Sequence, residues 1–210
     1  MTFIFDLDGT LSDPAVGIGR SINYALDAFG HRQLRDAEVS QHIGPPLESA
    51  FRRIVPGASD VAILGMVAKY RERYGNVGYA ENVVYPGIPE ALDDLASQGI
   101  SMGVCTSKRA DFAERILTLF NLRTYFEFVC GGDVGVPKDL QLRMLLEQGT
   151  VDASSTMIGD RAVAVIAARA NGIRSVGVLW GHGSKTELVD AGADQLVEFP
   201  FELRRLEDYG

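Results

Sequence analysis

The chain of 210 residues has only two cysteines, three histidines and one tryptophan, and it sets 20 lysines and arginines against 28 aspartates and glutamates. Each shortage excludes something. Cys105 and Cys130 lie inside apolar runs and cannot make the dense disulfide framework of a small secreted domain. They read as buried strand residues of a reducing compartment. His31, His42 and His182 are scattered, without the spacing of a histidine-held metal. A formal net charge of −8 argues against a surface that follows a nucleic-acid backbone, so no nucleic-acid partner is expected. A small phosphorylated metabolite remains open as a partner, since one local basic group or a metal suffices for it. No apolar run approaches the ~20 residues of a membrane span, and the first residues lack the basic-then-apolar layout of a signal peptide. A cytoplasmic enzyme with no membrane partner is the expectation. The oligomeric state is not legible.

What the sequence does contain begins with a strand. Thr2 to Phe5 is β-branched and aromatic and reads as buried. It runs into Asp6-Leu7-Asp8-Gly9-Thr10. Side chains at i and i+2 of a strand share a side, so alternation brings Asp6 and Asp8 together and turns Leu7 into the core. Like charges that close repel unless a cation, a shared proton or a polar reaction centre lies between them. The carboxyl ends of strands in an open α/β sheet are where ligands bind. The first expectation is therefore a metal-assisted carboxylate site.

With 46% hydrophobic and 23% charged residues there is ample material for a core. Residues 14–84 read as helices. Val16, Ile18, Ile22, Ala25, Leu26 and Phe29 recur at helical spacing before Gly30, and Ser59-Asp60 offers caps for a long helix. Val61, Leu64, Val67, Ala68 and Tyr70 are the candidate inward residues of that helix. From Pro86-Gly87 onward short apolar runs alternate with helical patterns, which argues for a doubly wound parallel sheet with helices on both faces. The expected organisation is a discontinuous α/β core, residues 1–13 and 85–210, interrupted by a helical domain, residues 14–84. Pro14 and Pro86 stand near the crossings.

Four polar sites fall just after expected core strands: Asp6/Asp8, Thr106-Ser107, Lys138 and Gly159-Asp160. Singly, each has a plainer reading. Thr106-Ser107 caps a helix, Lys138 is a solvated lysine, and Gly159-Asp160 is a turn. Their joint order carries the weight. Together they resemble the four motifs of the haloacid dehalogenase superfamily, over essentially the whole chain and nearest its phosphoglycolate phosphatase-like branch. Phe5 to Asp13, Gly44-Pro45-Pro46, Thr106-Ser107-Lys108, Phe112 to Leu117, Met157 to Arg161 and Val178 to Ser184 also resemble that branch.

The resemblance implies a Rossmann-like core with an inserted helical cap, and a Mg²⁺-dependent phosphatase of small phosphomonoesters. In that reading Asp6 is the nucleophile that forms an aspartyl-phosphate, and Asp8 is the general acid and then base. Mg²⁺ is held by Asp6, the Asp8 backbone carbonyl, Asp160 and water. Thr106 and the Ser107 amide bind phosphoryl oxygens, and Lys138 neutralises charge on Asp6 and the phosphate. Gly9 permits close backbone approach and Thr10 orients its loop. Gly44 and Pro45 belong to a cap loop that closes over substrate, and Lys108 is a further candidate contact. Trp180 and Gly181-His182-Gly183 read as structural loop. A nucleotidase, a pyrophosphatase or a phosphomutase are the rival activities.

One position departs from the pattern. Four residues after Asp160, where the family carries a second acid in support of the metal, stands Ala164. A weakened enzyme, compensation by an acid such as Asp133 or Asp139, and an introduced replacement all remain open. A metal-poor, non-catalytic phosphate-binding relative is the rival of a different class.

Overall fold

The computed structural model describes residues 1–44, 46–132 and 136–209. Six parallel strands form the sheet: β1 (Thr2–Phe5), β2 (Ser101–Thr106), β3 (Phe128–Gly131), β4 (Thr156–Gly159), β5 (Arg174–Val178) and β6 (Gln195–Val197). Their spatial order is β3-β2-β1-β4-β5-β6. The chain thus builds outward from β1 in one direction, returns, and builds outward in the other. Its switch point lies at the carboxyl end of β1, where a doubly wound sheet opens a ligand crevice.

Alternation along β1 sorts its side chains between the two faces. Ile4 joins Cys105, Met157, Leu142, Leu145, Ala164 and Ala167 in one apolar cluster. That cluster seats α7 (Lys138–Glu147) and α8 (Ala162–Ala170) on this face of the sheet. Phe5 turns the other way and meets Phe126 edge-on, with ring centroids 6.0 Å apart. Phe126 ends a 3₁₀ turn over Arg123–Tyr125, just before β3 starts at Phe128. Gly103 leaves room for the Phe128 ring, since a Cβ on it would lie 2.1 Å from that ring. The remaining core helices are α5 (Ile88–Ser97), α6 (Ala110–Leu119) and α9 (Lys185–Ala191), and a 3₁₀ segment follows over Pro200–Tyr209.

The chain divides into two compact units, Met1–Asp13 with Val84–Gly210, and Pro14–Val83. The second is helical, with α1 (Ala15–Ala28), α2 (Asp36–Val39), α3 (Leu47–Ile54) and α4 (Asp60–Asn76). Ser59 caps α4 by accepting a hydrogen bond from the Ala62 amide at 3.3 Å. Its apolar core includes Ile18, Ile22 and Leu26 from α1 with Ile63, Met66 and Val67 from α4. The expected inward stripe of α4 needs correction. Val67 is buried as expected, but Val61 and Leu64 are 81% and 57% exposed and Ala68 is exposed, whereas Ile63, Met66 and Tyr74 are buried. Apolar residues surround much of this helix, so two stripes satisfied the 3.6-residue period and packing chose the other. Among the described residues no helix is long and apolar enough to cross a membrane.

Candidate active site

Asp6 stands one residue beyond β1. Its amide donates to the Ile158 carbonyl at 2.8 Å, carrying the sheet ladder one step past the assigned strand. Because β1 ends at Phe5, Asp8 belongs to the turn that follows and not to the strand. The expected convergence of Asp6 and Asp8 by strand alternation is therefore replaced by a tight turn. In it Leu11 and Ser12 amides donate to the Leu7 carbonyl at 2.9 and 3.1 Å, and the Gly9 amide to the Ser12 carbonyl at 2.8 Å. Leu7 is fully buried beneath it.

Each of the two carboxylates has a lysine. Asp6 Oδ2 accepts from Lys138 Nζ, and Asp6 Oδ1 accepts from the Leu7 amide at 2.8 Å. Lys138, at the start of α7, is 2% exposed; an ammonium that deep is tolerable only beside a partner. Asp8 Oδ2 lies 2.8 Å from Lys108 Nζ. Burial pushes the Asp8 carboxyl above its ordinary range, and Lys108 pulls against that shift.

The third acid, Asp160, follows β4. It is 1% exposed, and burial with the nearby Asp6 charge raises its carboxyl to about 7. Its Oδ2 accepts from the His182 amide at 2.8 Å. Its Oδ1 and Asp8 Oδ1 are buried without a hydrogen-bond partner. Buried carboxyl oxygens left without a partner are costly, and here both Asp8 and Asp160 carry one. Gly9 explains how the loop comes so near: it has φ +81°, and a Cβ on it would lie 2.1 Å from Asp160 Oδ2. Among the described residues no three His, Cys, Asp or Glu side chains gather tightly enough to hold a metal by themselves.

Thr106 ends β2, buried, and its Oγ1 accepts from the Lys108 amide at 3.2 Å. Ser107, next to it, is exposed. Thr10 is fully buried with its hydroxyl unpartnered, while its carbonyl accepts from Trp180 Nε1 at 2.9 Å. Thus Asp6, Asp8, Gly9, Thr10, Thr106, Ser107, Lys108, Lys138 and Asp160 all lie at the carboxyl ends of β1, β2 and β4 or on the first turn of α7. Gly44, exposed with φ +100°, lies in the helical unit. Pro45 and Asp133 fall outside the described residues.

The loop Trp180 to Gly183, read from sequence as structural, turns out to wall the acids. A Cβ on Gly181 would lie 2.2 Å from the Gly9 carbonyl oxygen, and one on Gly183 1.8 Å from the Asp160 carbonyl oxygen. His182 Nε2 also lies 3.1 Å from Asp13 Oδ1. Two glycines flanking a histidine just after a strand were the available signal. Tyr85, also unforeseen, has its hydroxyl pushed up by burial, with the charges of Asp13, Asp160 and Asp8 adding to the shift.

Ala164 is 1% exposed in the apolar cluster under α8. Its Cβ faces Gly159 so closely that a Cβ there would stand 2.6 Å away. Of the acids weighed as compensation, Asp139 opens α7, and its carbonyl accepts from Asn171 Nδ2 at 2.9 Å. Glu187 instead serves the start of α8: its Oε1 accepts from the Ala162 amide at 2.9 Å and Arg161 Nε at 2.8 Å.

Known proteins share this arrangement of elements. A 5'-nucleotidase of Pseudomonas aeruginosa is 37% identical over 189 residues, covering 88% of this chain and 85% of its own. The tyrosine-protein kinase PtkA of Mycobacterium tuberculosis is 35% identical, over 92% of this chain and 67% of its own. The crystal structure of a predicted phosphatase from Clostridium acetobutylicum superposes with a TM-score of 0.89 at 34% identity, over 97% of this chain and 96% of that one. The profile of haloacid dehalogenase-like hydrolases matches residues 3–178, from the first strand through β5. The chain belongs to the haloacid dehalogenase-like hydrolase family.

Proposed function

We propose that the chain is a Mg²⁺-assisted phosphatase that hydrolyses a small, cytosolic phosphomonoester through an aspartyl-phosphate on Asp6. One observation carries the reading: two carboxylates at the switch point, Asp6 buried and Asp8 part exposed, each with its own lysine, stand beside a third, buried acid whose Oδ1 has no partner. Such a set suits the transfer of a dianionic group, where catalysis is mostly positioning and charge.

In this reading the Asp6 carboxylate attacks phosphorus and the ester P–O bond breaks, while Asp8 gives its proton to the departing alkoxide. Asp8 then takes a proton from water, whose oxygen attacks the aspartyl-phosphate. Inorganic phosphate leaves and Asp6 is restored. Lys138 offsets the charge that gathers on Asp6 and the phosphoryl group, and the Thr106 hydroxyl with the Ser107 amide cradles the phosphoryl oxygens. Burial raises the Asp8 carboxyl above its ordinary range, which favours the protonated form that a general acid needs. Lys108 tempers that shift.

Asp160, Asp6 and the Asp8 carbonyl are the groups that would hold Mg²⁺, with water completing an oxygen shell. The orphaned Oδ1 of Asp160 fits such an ion. Bound there, it would supply positive charge between two anions. The helical unit, with Gly44, is proposed as the cap that selects the leaving group.

The test is release of inorganic phosphate from a panel containing phosphoglycolate, nucleoside 5'-monophosphates, sugar phosphates and pyrophosphate, with and without Mg²⁺. Turnover that needs both Mg²⁺ and Asp6, lost in Asp6→Asn, supports the reading. Turnover indifferent to both defeats it, and a phosphorylated isomer without free phosphate indicates a mutase. The nucleotide arm is motivated by the 37% identical 5'-nucleotidase and the phosphoglycolate arm by the motif resemblance.

A further inference from the structure

The only two cysteines of the chain are register partners. Cys105 of β2 stands opposite Cys130 of β3 in the parallel pairing. Register partners on parallel strands project to the same face, and both cysteines meet the cluster under α7 and α8. At a strand spacing of about 4.8 Å their Cα atoms fall within the range disulfides span. Both thiols are free.

Their surroundings are unequal. Cys105 is fully buried, whereas Cys130 is part exposed. The Gln141 amide lies 3.5 Å from Cys105 Sγ. Turned so that both its ends are satisfied, that amide donates to the Thr106 carbonyl and accepts from the Gly132 amide. Pairing with Cys105 holds the Cys130 thiol below its ordinary range, while the same pairing and burial push Cys105 up. A protonated, inaccessible sulfur thus supports an accessible one with thiolate character, the division of labour of a reactive pair.

We propose that Cys105 and Cys130 are a redox-active dithiol, which a hydroperoxide converts to an intrachain disulfide tying β2 to β3. The Cys130 thiolate attacks one peroxide oxygen, the O–O bond breaks, and Cys130 sulfenic acid forms with release of hydroxide when the oxidant is hydrogen peroxide. The Cys105 sulfur then attacks the Cys130 sulfur; the S–O bond breaks, and water leaves with the Cys105 proton. A dithiol reductant reverses the bond. The next register pair along these strands is Thr106 with Gly131, so the new bond sits one residue from the proposed phosphate cradle. Displacing that cradle lowers turnover by about 10–100-fold. This last consequence rests on the phosphatase reading; the disulfide does not.

The experiment treats the full chain with hydrogen peroxide, alkylates remaining thiols, and maps peptides by mass. Expected are paired loss of both thiols, one intrachain link between the peptides carrying 105 and 130, and reversal by dithiothreitol. Cys105→Ser and Cys130→Ser form no link, and both retain turnover after peroxide. Overturning results are sulfinic acid on Cys130 without a link, a link between two chains, or unchanged thiols. If the link forms in a chain that releases no phosphate from any substrate, the dithiol stands and the phosphatase reading falls.

Discussion

Lys108 Nζ lies 2.8 Å from Asp8 Oδ2, with the two side chains 8% and 18% exposed. The lysine that follows the proposed phosphate cradle in sequence therefore contacts, in this structure, the acid proposed to handle the proton. Removing it leaves Asp8 with burial pushing its carboxyl up and no lysine to oppose the push. In Lys108→Met the base limb of the kcat/KM profile moves to higher pH, while Lys108→Arg leaves it near the parent. A Lys108→Met profile that only drops in height, with unmoved limbs, would show that Lys108 acts on substrate and not through Asp8.

Asp160 ties stability to pH and metal. Its folded value of about 7 exceeds the ordinary carboxylate value of 3.8, so the folded chain holds a proton that the unfolded chain has lost between those limits. Stability contributed by this group is therefore highest at low pH and falls as pH rises from about 4 to about 7. Asp160→Asn, which keeps an oxygen for the His182 amide, escapes the fall. Without metal, Asp160→Asn exceeds the parent by about 1–4 kcal/mol at pH 8, and the gap closes toward pH 4. Added Mg²⁺ raises the parent's Tm but not the variant's. Denaturant unfolding at several pH values and thermal melts with Mg²⁺ check both parts, and a pH-independent gap contradicts the assignment.

Ala164 tests how much metal support is missing. Its Cβ faces Gly159 beneath the Asp6 strand end, so an aspartate there has its carboxylate beside the acids it is proposed to support. Ala164→Asp tightens Mg²⁺ by about 10–100-fold, the usual worth of a supporting group around a metal. It also lowers stability without metal, because a carboxylate enters an apolar cluster. Calorimetric Mg²⁺ titration of both forms measures the change. Equal affinities mean the chain needs no acid at this place.

Much of the core was legible because its signals are local and redundant. β1 announces itself by β-branched and aromatic residues that end in two acids, and the alternation of strands and helices after Gly87 leaves few topologies open. The acids, Thr106 and Lys138 were singled out by their positions after strands, and the structure brings them to one end of the sheet. What stayed hidden depends on contacts between distant segments. Nothing local pairs Lys108 with Asp8, since most lysines are solvated. In α4 the sequence satisfied two helical stripes, and only packing against α1 selected Ile63 and Met66 over Val61 and Leu64. The role of residue 182 escaped for a deeper reason: the donor to Asp160 is a backbone amide, which every residue but proline carries.

That last contact sets how the site tolerates change. A side-chain donor can be deleted by one base substitution, and the aspartate it orients would then wander. Asp160 is aimed by a main-chain N–H, so position 182 can drift through nineteen residue types with the aim preserved, and only proline abolishes it. The burden of constancy passes to Gly181 and Gly183, where any side chain collides with Gly9 or Asp160. The loop is thus a part whose spacing is inherited strictly and whose central letter is free to serve another purpose, such as the histidine's contact with Asp13.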